Sequence, residues 1–350
     1  MKAVYIERFG GPEVLQVGEL PTPEPGPKEV RIRVQAVALN HLDVWVRRGI
    51  GNPRLAFPHV LGADIAGTVD KVGAGVTVAK PGDAVVLNPG VSCGHCEYCL
   101  SGQDNLCSEY AILGEHRWGG YAEYVVVPEQ NVLPKPSSLN FIEAAAVPLT
   151  FLTAWQMVRD KLKVKPGEYL LVMAAGSGVS TAAIQIARLC DVHIIATASS
   201  DEKLDRAKEL GAHFGVNYSQ SDWHREVRKI TGGRGVDAVV DHTGAAYWDR
   251  VIKATANGGR ICLVGASSGY EAVTPLAHIF YRQLTIYGST MGSKSRMYPI
   301  LRLVSEGRLR PIISQVLPLE QAAEGHRLLE ERAVFGKVVL TVGETSTALA

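Results

Sequence analysis

The stretch that most constrains the fold is residues 169–185, YLLVMAAGSGVSTAAIQ. Its first five residues are apolar and uncharged, and Pro166 and Gly167 stand just upstream. A strand buried on both faces of a parallel sheet reads this way. Small residues turn the chain through 174–180 into 181–189, where apolar residues recur at helical spacing. Strand, small-residue turn and helix together make a dinucleotide cradle. Phosphate rests on the unpaired N–H groups of the helix N-terminus, and small side chains let it come close. The glycine pattern is imperfect, because Ala175 and Ser180 hold the first and last glycine positions of G-x-G-x-x-G. Many strand–helix turns contain glycine and bind nothing, so the cradle needs support from the rest of the chain.

That support comes from an alternation of strands and helices beyond residue 151. Strands are predicted at 192–198, 216–217, 236–241, 259–264 and 284–288, with helices at 201–210, 222–231 and 247–254 between them. This is the pattern of a doubly wound parallel sheet with right-handed crossovers. Helices at 299–307 and 320–331 follow, then a closing strand at 337–342. Residues 1–150 read differently. Residues 30–37 alternate as a strand after a stiff turn holding Pro21, Pro23, Pro25 and Pro27, and 67–72 and Ala84–Leu87 are further strands between Gly/Pro turns. A barrel-like β domain without a long amphipathic helix is expected there. The closing strand is expected to return to it, giving one domain from 1–150 and 290–350 and an inserted domain over 151–289. The polar tail from Thr345 is expected to be disordered, and no repeats are expected.

Composition removes several classes of function. Lys plus Arg total 36 and Asp plus Glu 35, so no net field favours nucleic acid or an anionic membrane. Charges at Glu7 and Arg8 rule out a signal peptide core, and the longest apolar stretch, 144–155, is broken by Pro148 and too short to span a bilayer. A cytoplasmic protein is expected. Four of the six cysteines, Cys93, Cys96, Cys99 and Cys107, fall at the spacing C-x2-C-x2-C-x7-C. Thiolates are favoured ligands of tetrahedral zinc, and four of them close the coordination sphere, so the site is read as structural, in a lobe over residues 90–110. The alternatives are two disulfides or four free thiols, and neither suits clustered cysteines in a chain without a secretion signal. Cys190 and Cys262 read as buried small hydrophobes.

At this point the sequence resembles the zinc-type medium-chain dehydrogenase/reductase superfamily along nearly its whole length. The four-cysteine lobe carries the resemblance, with VLGADIAGTV at 60–69, PGDAVV at 81–86, GGYAEYVVVP at 119–128 and TAW at 153–155. The resemblance implies an α/β enzyme with a GroES-like β domain and a Rossmann domain. It also implies a bound nicotinamide cofactor and a homodimer or homotetramer, commonly paired through the last strand of the cofactor sheet, here 284–288. Alcohol dehydrogenases of the superfamily hold a second, catalytic zinc. Their ligand positions correspond here to Asn40, Ala63 and about Leu149, none of which binds zinc as those enzymes do. His41, Asp43, His59, Asp64 and His116 lie in the same loops as candidates for an improvised site. One structural zinc and no catalytic one is the expectation. The loop ALNHLDVW and the segment AAAVPLTFLTAW are similar to the zinc-less branch, the quinone oxidoreductases and enone or enoyl-thioester reductases. Hydride transfer to an activated alkene or a quinone follows from that likeness, since a polarised acceptor needs less Lewis-acid help than a simple alcohol. The rivals are a zinc-dependent alcohol or aldehyde oxidoreductase with replacement ligands, and a non-enzymatic nucleotide-binding protein.

The candidate site residues follow. Gly176, Gly178, Val179 and Ser180 belong to the phosphate turn. No acidic residue stands at the end of the 192–198 strand to take a ribose 2′-OH; Ser199, Ser200 and Lys203 follow instead, and suit a 2′-phosphate. NADPH is therefore expected, with NADH possible. By resemblance Tyr218 and Arg332 join that group, although Ser199 and Ser200 also read as a helix cap. Thr153, Thr243, Val264, Gly265, Ala266, Ser289 and Met291 are placed near the nicotinamide by resemblance and by the carboxyl ends of the strands. For chemistry, Asn40 is the candidate anchor for a carbonyl oxygen, or else closes its own turn. Asp43 orients its neighbours and His116 relays a proton. Trp45 and Trp118 line an apolar pocket or fill the core.

Overall fold

The strand that organises the first unit is Glu29–Ala38, in which Val30, Ile32 and Val34 point inward and alternate with Arg31, Arg33 and Gln35. Alternation of this kind specifies a strand with one face on a core. In this computed structural model, which describes residues 1–219 and 222–343, it pairs antiparallel with Asp64–Val72, Tyr124–Pro128 and Lys337–Thr341. The sheet continues through Ala84–Leu87 and Val132–Pro134 on one side and Ile313–Pro318 on the other. A smaller sheet of Gln16–Glu19, Lys2–Ile6 and His59–Val60 adds to the same apolar core. The closing strand Lys337–Thr341 is buried along its whole length, so the end of the chain is locked into the unit that began it. Contacts group Met1–Leu149 with Ser293–Ala350 as one unit and Thr150–Gly292 as the other. The tail expected to be disordered lies outside the described residues.

In the second unit six parallel strands stand in the order Phe214–Asn217, His193–Ala198, Tyr169–Val172, Val236–Asp241, Thr255–Leu263, Thr285–Gly288. Numbered along the unit this is 3-2-1-4-5-6, the Rossmann order, with its switch point beside Tyr169–Val172. The middles of three neighbouring inner strands, residues 170–172, 194–196 and 238–240, are apolar and fully buried, as a sheet covered on both faces requires. The helix expected at 299–307 runs Met297–Ser305, with Pro299 in its first turn, where the missing N–H has no intrahelical acceptor to lose. The strand expected from 259 begins at Thr255, where a register shift against Val236–Asp241 lengthens it. Short elements carried too little periodicity to be read: helices His41–Arg47, Phe141–Ala145 and Leu276–Tyr281, and strands Lys2–Ile6 and Ile313–Pro318. Among the described residues no helix is long and apolar enough to cross a membrane.

Candidate functional site

The turn after strand Tyr169–Val172 is held from two sides. Ala174 takes a positive φ of 48°, and the N–H groups of Ala174 and Ala175 donate to Oγ1 and the carbonyl of Thr197 on the next strand, at 3.2 and 2.7 Å. Ser177 caps helix Gly178–Arg188 by accepting the Ser180 N–H at 3.1 Å. The buried Ser180 hydroxyl donates to the Met173 carbonyl at 2.7 Å, a bond that a glycine there could not make. The first-turn N–H groups of Gly178 and Val179 have no intrahelical acceptor, as an anion site requires. His242, just past strand Val236–Asp241, places Nε2 2.8 Å from Ser177 Oγ and 2.9 Å from Ser180 Oγ. With the Ser180 hydrogen directed at Met173, His242 Nε2 is the donor to that hydroxyl.

The carboxyl ends of the same sheet carry the other candidates. Asp241 Oδ1 accepts the N–H and hydroxyl of Thr243 at 2.7 and 2.6 Å, while burial pushes its carboxyl above the ordinary range. Val264 donates to the Asp241 carbonyl, and Gly265 turns the chain at φ 71° toward Ala266. Ser289 donates to the Leu263 carbonyl, and Met291 is buried at φ 52°. The loop ending at Gly292 packs on the helix of Thr153, since a Cβ on Gly292 would lie 2.9 Å from the Leu152 carbonyl. Asp241 Oδ2, Ser289 Oγ and Thr153 Oγ1 are buried without a hydrogen-bond partner among the described residues. Buried polar atoms normally find partners, so three orphans on this unit fit a polar ligand such as a nicotinamide carboxamide. Farther along the sheet, Ala198 ends its strand with no carboxylate. Ser200 caps helix Asp201–Glu209 by accepting the Lys203 N–H, and Ser199 is exposed. Tyr218 donates its N–H to Ala198 and lays its ring 4.9 Å from that of Tyr247. Arg332 is exposed and belongs to the first unit.

In the first unit Asn40 caps helix His41–Arg47 at the end of the central strand. Both ends of its carboxamide are engaged. Lys337 Nζ donates to Oδ1 at 2.5 Å, and Nδ2 donates to Asp64 Oδ2 at 3.0 Å, with a longer contact of 3.4 Å to the Ala38 carbonyl. Asp64 also takes Lys337 Nζ at 2.9 Å on Oδ2 and the Leu149 N–H at 2.7 Å on Oδ1. Positions 40, 64, 149 and 337 thus form one buried polar network, next to the apolar Ala63. Asp43 accepts the N–H groups of Asn40 and Gly62 at 2.7 and 3.0 Å, and burial nevertheless pushes its carboxyl up to about 7. His59 donates Nε2–H to the Gly114 carbonyl at 3.0 Å. His116 is partly exposed and accepts the Ile112 N–H on Nδ1 at 3.1 Å, which leaves its proton on Nε2 when neutral. Trp118 donates to the Pro58 carbonyl, and Trp45 sits beside His41.

The four cysteine sulfurs lie together. Cys93–Cys99, Cys96–Cys99 and Cys93–Cys107 are separated by 3.8, 3.5 and 3.6 Å. Zinc–sulfur bonds of about 2.3 Å put tetrahedral sulfurs about 3.8 Å apart, whereas a disulfide needs about 2.05 Å. The cluster therefore fits four thiolates on one ion. Two backbone N–H groups point at the cluster: Cys96 N–H reaches Cys93 Sγ and Glu109 N–H reaches Cys107 Sγ, each at 3.4 Å. The backbone hydrogen bond from His95 first, and that from Cys96 second, push the Cys93 thiol down to about 6, while burial and the sulfur neighbours push Cys96 up to about 11. The other convergent set among the described residues, Cys93 with His95 and Glu109, is mostly exposed and shares a ligand with the first.

Two family models match the chain, an alcohol dehydrogenase GroES-like domain over residues 26–137 and a zinc-binding dehydrogenase domain over 178–306. An NAD-dependent alcohol dehydrogenase of Saccharolobus solfataricus is 36% identical over 97% of this chain and 99% of its own. The chain belongs to the zinc-type alcohol dehydrogenase family. Within that family a quinone oxidoreductase of Sus scrofa is 29% identical over 97% of both chains. A crystal structure of an NAD-dependent alcohol dehydrogenase superposes with a TM-score of 0.96 at 68% identity, covering 98% of this chain and all of the other. The protein is thus an NAD(P)-dependent oxidoreductase of the medium-chain dehydrogenase/reductase superfamily, with the GroES-like and Rossmann architecture of its zinc-type relatives.

Two groups of this zinc-type dehydrogenase went unread in its sequence. Lys337 opens a largely apolar strand, KVVLT, and the only signal in the sequence was a charge at the head of an apolar run, which ordinarily marks an exposed strand end rather than a buried one. The second group joins Tyr121, His326, Arg47 and Glu330. Arg47, fully buried, donates Nη1–H to His326 Nδ1 at 3.1 Å, Nη2–H to Glu330 at 2.5 Å and Nε–H to the Gly10 carbonyl. A guanidinium only donates, so His326 Nδ1 holds the lone pair and Nε2–H donates to the Tyr121 oxygen at 3.1 Å. Burial first, and the Arg47 charge second, press His326 down to about 3. Residues so far apart in sequence meet only through the fold.

Proposed function

We propose that the protein transfers hydride from NADPH to an activated alkene or a quinone, with one structural zinc and no catalytic metal. The observation that carries this is the network at positions 40, 64, 149 and 337. Where zinc-type alcohol dehydrogenases place metal ligands, Asn40 is tied to Lys337 and Asp64, Ala63 offers no donor, and Leu149 gives only its N–H. The carboxylates nearby are already committed, Asp64 to a lysine ammonium and Asp43 to two N–H groups. This donor set does not suit an open zinc site, which needs three free ligands.

When bound, the nicotinamide supplies a hydride. With Lys337 fixing Oδ1, Nδ2 is the donor end of Asn40, and the hydrogen held only by the long 3.4 Å bond to the Ala38 carbonyl is the one a substrate carbonyl oxygen would draw away. Such a bond stabilises negative charge building on that oxygen as hydride reaches the β-carbon. The α-carbon then takes a proton, which we assign to His116 Nε2–H and its exchange with solvent. For a quinone the same two electrons and two protons give the hydroquinone.

The preference for NADPH is supported by Ala198 at the strand end and by Ser199 and Lys203 beyond it. A second reading, alcohol oxidation with NAD, is favoured by the printed names of the relatives at 36% and 68% identity. The edge strand Thr285–Gly288 and the exposed Tyr270, Val273, Leu276, Phe280 and Tyr281 support self-association through this face of the second unit. Five exposed large apolar side chains within twelve residues are what an interface, rather than a solvated surface, presents. A reducing, cytoplasmic setting suits a tetrathiolate centre. The test is a panel of quinones, enones, enoyl thioesters and primary and secondary alcohols, each with NADPH/NADP+ and NADH/NAD+, together with zinc counted per chain. Turnover of the conjugated acceptors with one zinc supports the proposal. Brisk alcohol oxidation with two zinc ions per chain overturns it, and a lower KM for NADH overturns the cofactor preference alone.

A further inference from the structure

Beside the cysteine lobe lies a cation with nothing to bind. Lys294 Nζ is shut off from solvent and has no hydrogen-bond partner among the described residues. Its backbone is fixed: the Lys294 N–H and the Ser293 hydroxyl both donate to Asp104 Oδ1, at 3.0 and 2.8 Å. Asp104 sits three residues before Cys107, in the short helix Asp104–Leu106. The lysine is thus pinned to the lobe by its main chain, while its ammonium and the Asp104 Oδ2 both lack a hydrogen-bond partner among the described residues. The negative groups acting on the ammonium are Asp104, then Cys99, Cys107 and Cys93.

A bare ammonium inside a protein is costly unless an anion compensates it. Asp104 supplies one negative charge without a hydrogen bond to Nζ, and four neutral thiols add none. Four thiolates around a divalent zinc carry two net negative charges, and backbone N–H groups soften that charge only in part. We propose that Lys294 is the counter-cation of the tetrathiolate zinc centre, a positioning residue that stabilises the bound metal from outside its coordination sphere. The proposal rests on the reading of Cys93, Cys96, Cys99 and Cys107 as a zinc site, and is independent of the substrate.

The test follows zinc release from the purified holoprotein into excess chromophoric chelator, for wild type, Lys294→Met, Lys294→Gln and Lys294→Arg. The zinc content of the wild type is measured first, and a wild type without zinc refutes the metal site itself. With zinc present, Met and Gln should release it roughly 10–100-fold faster, the usual cost of losing an outer partner of a metal ligand, and Arg should stay close to wild type. The cobalt-substituted proteins give the second measurement, since removing the adjacent charge shifts the sulfur-to-cobalt charge-transfer band in Gln and Met and not in Arg. That spectrum decides the matter with Gln alone if Met does not fold. Equal release rates and unshifted bands across the four proteins overturn the proposal. So does a lowered melting temperature with unchanged release, which would mean that Lys294 serves Asp104 only.

Discussion

Lys337→Met is the most telling single substitution. Methionine matches the length of lysine and removes only the charge, and the site has little exposure to water, with 4% of the Lys337 side chain and none of Asp64 accessible. The variant leaves Asp64 buried with the Leu149 N–H at 2.7 Å and the Asn40 amide at 3.0 Å, but without the ammonium at 2.9 Å. Asn40 Oδ1 loses its donor as well. Removing one partner of a buried ion pair costs about 3–5 kcal/mol, most of it from stranding the other charge. For a unit of this size each kcal/mol lowers the melting temperature by roughly 2–4 °C, so the first unit should melt roughly 6–20 °C lower. Thermal and urea unfolding of Lys337→Met, Asp64→Leu and the double variant measure it. The double variant, which strands no charge, should be more stable than the sum of the two single losses by about 2 kcal/mol or more. A Lys337→Met protein that melts within roughly a degree of wild type, or a double variant equal to the sum, refutes the reasoning. Freed to flip, Asn40 should also lower kcat with the KM for NADPH unchanged.

Two further outcomes follow from the geometry. His326, pressed to about 3, and Asp43, raised to about 7, act on stability in opposite directions. Below pH 6.5 the unfolded chain protonates the histidine and the native one refuses, so this group's contribution is lost as pH falls toward 3, at up to about 1.36 kcal/mol per unit. Below pH 7 the native chain protonates Asp43 and the unfolded one does not until about 3.8, so that term gains stability over nearly the same window. Asp43→Asn should therefore steepen the acid loss between pH 7 and 5, and His326→Gln should reverse it relative to wild type. Urea midpoints across that range check both, and parallel curves for all three proteins would contradict them. At the exposed edge, Phe280→Asp with Tyr281→Asp should shift the protein to a smaller species in light scattering coupled to size exclusion, with the melting temperature nearly unchanged. An unaltered mass would place any association elsewhere.

How far the sequence carried is clearest where one element meets another. The sheet of the second unit was legible because its inner strands are buried on both faces and carry short apolar runs, as at Tyr169–Val172 and at residues 238–240 within Val236–Asp241. The cysteine lobe was legible for a related reason: its ligands are close in sequence, so spacing alone encodes the tetrahedron that the 3.5–3.8 Å separations then display. The network around Asn40 obeys neither rule. Its members come from the end of the central strand, the start of Asp64–Val72, the helix at Pro148–Trp155 and the closing strand, 297 residues from Asn40 to Lys337. Nothing local requires Lys337 to be buried; it is drawn in because Lys337–Thr341 pairs antiparallel with Glu29–Ala38 and so begins beside Asn40. Asn40 itself was readable only as an alternative, an anchor for substrate or a residue closing its own turn. The fold gives it a third setting, an amide oriented by a lysine from the far end of the chain. The same reasoning explains Ser180. The G-x-G-x-x-G pattern puts a glycine at this position for close approach, whereas the Ser180 hydroxyl here binds the carbonyl of Met173. The turn thus trades a little room for a fixed strand end, and the phosphate-facing N–H groups of Gly178 and Val179 are kept.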